Sequence, residues 1–150
     1  MRNFVLNRWQ LPCFPHILVS QDMKKTTIMN TEIRNEITAN LPYFTGTIQT
    51  WEHRTPFGKL ILTDGCNYIR KEAQSRWLFD LIQSYQPRLK GEEFQTWTLE
   101  KVSDTKFLVT CTDGDERTLI TQKIQYSDFP LNSITFWVVD GMTCLLPSEY

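Results

Sequence analysis

Between Phe94 and Leu146 the chain is dominated by runs of Val, Ile, Thr, Phe and Trp, cut at short intervals by turn residues, and this block most limits what the whole can fold into. "FQTWTLEKVSDTKFLVTCT" predicts two strands around a Ser103-Asp104 turn, the second presenting Phe107, Val109 and Cys111 on one face. A turn at "DGDE" around Gly114 leads to a strand alternating Ile120, Gln122, Ile124 and Tyr126, and a loop at Pro130 precedes "ITFWVVDGMTCLL". There Asp140-Gly141 lies between two apolar runs. That pair favours a type I′ hairpin, because both of its residues must take positive φ.

Upstream, the period changes to that of helices. "TEIRNEITANLP" places Ile33, Ile37 and Leu41 at i, i+4 and i+8, with Asn30 or Thr31 as cap and Pro42 just past the end, which predicts a short amphipathic helix. "YFTGTIQTWEHRTPFGKLILTDG" predicts two strands, Thr47 to Trp51 and Lys59 to Leu62, joined by a turn at Pro56 and Gly58. "DGCNYIRKEAQSRWLFDLIQSYQP" reads as one long helix, capped by Asp64 and closed by Pro87. Cys66, Ile69, Ala73, Trp77 and Leu81 form its apolar stripe with Trp77 at the centre, and Phe79 falls off that stripe. The fold class expected is α+β: an antiparallel meandering β-sheet with one long and one short helix packed on one face. Residues 1–28 read as a poorly patterned N-terminal arm, with Met23 or Met29 as alternative starts, and residues 29–150 as a single domain. The competing expectation is that the arm docks on the domain or on a second copy.

A chain of 150 residues can bury roughly 70% of its unfolded surface, so it needs no metal or disulfide to be stable. Sixteen basic and seventeen acidic residues form no long run of either sign, which disfavours nucleic acid as a partner. Nineteen aromatic residues are explained first by a core of large side chains. Cys13, Cys66, Cys111 and Cys144 are far apart, with no C-x-x-C pair, and read as reduced, mostly buried thiols. No stretch reaches the ~18 apolar residues of a membrane span. The opening "MRNFVLNRWQLPCFPHILVSQD" is broken by polar residues and prolines and makes a poor signal peptide, so the expected location is the cytoplasm. Oligomeric state is not legible.

Asp64, Asp113 and Asp140 each precede a glycine, where a helix start and two turns already account for them, and "TDGDE" lacks the later glutamate of a calcium loop. Neither a metal site nor a cofactor is expected. "WEHR", Trp51 to Arg54, is the densest polar and aromatic cluster. His53 there is the candidate general base of a small hydrolase or nuclease, with Asp64 or Glu52 as its carboxylate partner. Glu52 and His53 lie on opposite faces of a strand, however, so a partner must come from elsewhere, Asp64 or Asp128. Cys66, in the first turn of the long helix, lies on the apolar stripe and reads as buried rather than nucleophilic. No G-x-G-x-x-G, P-loop, G-x-S-x-G or H-E-x-x-H is present. The preferred expectation is a non-catalytic module that binds another protein through an aromatic surface, with Trp51, Arg54, Phe79, Glu149 and Tyr150 as contact residues.

Taken together, "FTGT", "LTDG" leading to "YI" and "WLFDLI", "FQTWTL", "YSDFPL" and "LLPSEY" make the chain resemble, from about Tyr43 to Tyr150, an uncharacterised bacterial domain family associated with plasmid and phage genomes. The resemblance implies an extent and a host, not an activity, and residues 1–22 match nothing in it. Members commonly end near the same "PSEY". The segment's expected fates are docking within the domain, drawn inward by Leu145 and Leu146, or an offer of Glu149 and Tyr150 to a partner.

Overall fold

A computed structural model describes residues 13–150, with side chains from residue 23 onward. Three helices, α1 (Cys13–Asn40), α2 (Asp64–Glu72) and α3 (Arg76–Tyr85), accompany seven strands: β1 (Trp51–Thr55), β2 (Gly58–Leu62), β3 (Phe94–Lys101), β4 (Phe107–Thr112), β5 (Thr118–Ile124), β6 (Ser133–Val139) and β7 (Thr143–Leu145). Short 3-10 turns lie at Leu41–Tyr43, Gln86–Leu89 and Pro147–Glu149. The expected α+β class is therefore observed.

The helices differ from expectation in number and phase. The short helix foreseen from Thr31 is the C-terminal part of α1, which begins at Cys13. Pro15 stands in the first turn, where a missing N–H breaks no helical bond. Among the described side chains of α1, fully buried Ile37 and half-buried Ile33 in its last turns meet the core, while residues 23–29 are exposed. The long helix foreseen from Asp64 to Pro87 is two helices. Gln74 takes the left-handed conformation at φ 48°, its N–H bonds the Lys71 carbonyl, and the Ser75 N–H bonds the Arg70 carbonyl, a Schellman termination made without glycine. The Ser75 hydroxyl donates to the Ile69 carbonyl and secures the break. Each helix then sets its own phase: α2 buries Cys66 and Ile69, whereas α3 buries Leu78, Phe79 and Ile82, and Trp77 is left half-buried.

The sheet order is β1-β2-β7-β6-β3-β4-β5. It is mostly antiparallel and is not a simple meander. β6 returns to the free side of β3, and β7 runs parallel to β2 through Ile61 with Thr143 and Leu62 with Cys144. Asp140 and Gly141 have φ of 55° and 63°, so the β6–β7 hairpin is the tight turn that its sequence favours. The first strand lies later than expected, at Trp51–Thr55, with Pro56 and Phe57 as the turn into β2. One face of the sheet, carrying Leu60, Leu62, Trp97, Leu99, Phe107, Val109, Phe136 and Val138, is buried against the helices in a single core.

Candidate functional site

The residues from Thr47 to Gln49 are held as a loop by Asp64. Its carboxylate accepts the backbone N–H of Ile48 at 2.8 Å, the N–H of Gln49 at 3.2 Å and the indole N–H of Trp51 at 3.1 Å. The Asp64 N–H in turn donates to the Thr47 hydroxyl. Asp64 thus does not cap its own helix, as its place before Gly65 suggested; Thr63 is the N-cap. The Ile48 N–H, the Trp51 indole and the Gln49 N–H favour the ionised form and hold the Asp64 carboxyl below its ordinary range.

Above this clamp lies an open groove of about 470 Å³ lined by Tyr43, Phe44, Ile48, Trp51, Tyr68 and Lys71, among others. Its walls are fixed. The Phe44 and Tyr68 rings lie 5.1 Å apart, the Asn40 amide donates to the Tyr68 hydroxyl, and the Lys71 ammonium sits 4.9 Å from the centre of the Trp51 ring. Two large apolar side chains at its rim face solvent, Tyr43 at 82% exposure and Ile48 at 96%. Of the residues singled out in the sequence, Trp51 and Asp64 meet here. Tyr43, Phe44 and Ile48 were missed because they fall outside any periodic segment, and Tyr68, on α2, because it lies off the apolar stripe read for that helix.

His53 lies elsewhere, fully buried in the core layer, and its carboxylate partner is Asp80 of α3, at 2.7 Å from Nε2, rather than Asp64 or Glu52. Arg70 approaches Nδ1 at 3.4 Å and also donates to the Asn67 side chain at 2.6 Å. A guanidinium can only donate, so this arrangement suits the neutral ring that gives its Nε2 proton to Asp80 and accepts at Nδ1. Burial outweighs the attraction of Asp80 and pushes the His53 pKa below its ordinary 6.5. The sign of the consequence follows. Below pH 6.5 the unfolded chain binds a proton that native His53 resists, so stability falls as the pH drops through that value toward the lowered native one. Urea midpoints of wild type and His53→Gln, compared from about pH 7 to about pH 5, should show a flatter pH dependence in the variant; equal slopes would show that His53 is not the linked group. No local sequence signal joins His53 to Asp80 or Arg70.

Glu52 lies on the exposed side of β1, where Lys59 and Arg54 bond its carboxylate and lower its pKa. Arg54 is thereby paired rather than free to clamp an anion. Phe79, expected at a second contact surface, is fully buried with its ring 5.3 Å from Phe136, because the break at Gln74 turns it into the core. Asp113 binds the N–H groups of Asp115 and Arg117 and the Arg117 guanidinium, the bonding of a solvated turn. Among the described residues no group of three or more His, Cys, Asp or Glu side chains is placed to hold a metal ion.

The segment after β7 folds back on α2. Glu149 accepts the Gly65 N–H at 2.8 Å, the Thr63 hydroxyl at 2.5 Å and the Leu146 N–H at 3.0 Å, serving as the anionic cap that Asp64 does not provide. A side chain at position 65 would collide with this clasp: a Cβ there would lie 2.5 Å from Leu146 and 2.9 Å from Glu149. Tyr150 stands at 84% exposure with its ring 5.5 Å from Trp137, itself 5.1 Å from Phe94, on the sheet face opposite the helices.

The strings "LTDG" and "LLPSEY", 80 residues apart in the chain, are therefore one structure. No helix among the described residues is long and apolar enough to cross a membrane. Comparison with curated proteins and comparison with solved structures each found no match. The model of a family of unknown function, DUF6876, matches residues 35–150, from within α1 through the clasp, and the chain belongs to that family.

Proposed function

We propose that the domain is a non-catalytic accessory module that binds another protein through the groove framed by Tyr43, Phe44, Ile48, Trp51 and Tyr68. The observation that carries this reading is Ile48, 96% exposed on a loop that Asp64 holds by two backbone bonds. An apolar side chain offered to water on a preorganised loop, beside an aromatic channel, suits an apolar anchor from a partner, because little further ordering is needed on binding. His53 supports the same reading: it is enclosed, and polar partners engage both ring nitrogens. The resemblance to plasmid- and phage-associated domains favours a cytoplasmic protein of mobile-element origin.

The test is a pull-down from lysate of the host with wild type, Ile48→Asp, Tyr43→Ser and, as control, Phe57→Asp at the exposed β1–β2 turn. A partner retained by wild type and by the Phe57 variant, and lost with Ile48→Asp or Tyr43→Ser at unchanged melting temperature, supports the groove. Equal retention by all four, or no retention by wild type, overturns it.

A further inference from the structure

The groove does not involve the cysteines, and two of them meet. Cys66, in the first turn of α2, and Cys144, in β7, are fully buried with their sulfurs 3.8 Å apart, although 78 positions separate them in the chain. Both lie beside Thr63, whose N–H donates to the Cys144 carbonyl. We propose that Cys66 and Cys144 are an oxidisable dithiol, a modification site that closes to a disulfide under a peroxide-class oxidant and covalently locks the C-terminal clasp onto α2.

A disulfide bond is about 2.05 Å long, so the two sulfurs must approach by somewhat less than 2 Å in total, within reach of side-chain rotation and a small shift of β7. Neither thiol reacts while enclosed, and burial, with Cys144 alongside, pushes the Cys66 pKa well up, keeping the thiol protonated. Access comes through the clasp. Leu146 and Glu149 lie directly over Gly65, one residue from Cys66, and β7 is only three residues long, with two paired to β2. When residues 146–150 lift, one sulfur, as thiolate, attacks a peroxide oxygen and becomes a sulfenic acid as water forms. The second sulfur then attacks the sulfenic sulfur, the S–S bond forms, and the departing hydroxide takes up the remaining thiol proton as a second water. Two thiols and one peroxide thus give one disulfide and two waters. The third described thiol, Cys111, is also buried, with its pKa pushed up to about 12 and its sulfur directed to the Thr112 carbonyl.

The experiment treats the folded full chain with hydrogen peroxide, then unfolds it, alkylates free thiols and maps the digested peptides by mass. The expected result is a dithiothreitol-sensitive cross-linked peptide joining Cys66 to Cys144, about 2 Da lighter than the two thiol peptides together. It should form several-fold faster in Glu149→Ala than in wild type, with circular dichroism confirming that the variant is folded. Recovery of both cysteines as alkylated thiols, or their appearance only in disulfides to Cys13 or to a second copy, overturns the proposal. An unchanged rate in folded Glu149→Ala overturns the clasp as the route of access. Mapping of wild type alone decides the pairing if that variant does not fold.

Discussion

Phe79→Ala is expected to cost about 3–5 kcal/mol of unfolding free energy, the range for deleting a fully buried aromatic ring, whereas Trp77→Ala two positions away should cost about 1–2 kcal/mol, in line with partial burial. The difference rests on the break at Gln74. In an unbroken helix the stripe of Cys66, Ile69 and Ala73 continues to Trp77, and Phe79 points away from it. With α3 starting afresh at Arg76, Phe79 packs against Phe136 and beside the His53 ring, 5.9 Å away, and its removal leaves a cavity between helix and sheet. Guanidinium midpoints of the two variants decide the matter. A Trp77→Ala loss equal to or larger than that of Phe79→Ala would mean that the helix is continuous and the core is built on the other phase.

Glu149→Ala is the second large effect, expected at about 2–4 kcal/mol because it strands three donors at once. The Gly65 N–H, the Thr63 hydroxyl and the Leu146 N–H all converge on this carboxylate. Tyr150→Ala, by contrast, removes an exposed ring and should change stability by no more than about 0.5 kcal/mol. Thermal unfolding of the pair separates a clasp held by the carboxylate from one held by the ring: a Tyr150→Ala loss as large as that of Glu149→Ala would overturn the assignment. Deleting the whole "PSEY" segment would therefore test stability before it tested recognition.

What could be read in the sequence was what local chemistry determines. Asp140-Gly141 specified its hairpin because few residue pairs take positive φ at both positions, and Phe107, Val109 and Cys111 declared a buried face by alternation. The helix break was hidden because its left-handed residue is Gln74, where glycine would have been the signal. Asp64 illustrates a different limit. An aspartate ahead of Gly65 is correctly read as a residue of a helix N-terminus, but its carboxylate serves a loop 15 and 16 positions back, while the cap is supplied by Glu149 from 84 positions ahead. The same holds for the site. Trp51 was found as part of a dense cluster, yet the exposure of Ile48 and the pairing of His53 with Asp80 depend on tertiary placement that no window of sequence contains.

The parallel pairing of β7 with β2 bears on the order of assembly during synthesis. β7 alone joins the β1–β2 hairpin to the strands from β3 to β6, so the two parts of the sheet remain unzipped until residues 143–145 have left the ribosome. The nascent chain therefore carries an early hairpin and helices whose apolar faces wait for a late strand, and the joining of the two parts of the sheet is set by a contact between distant parts of the sequence.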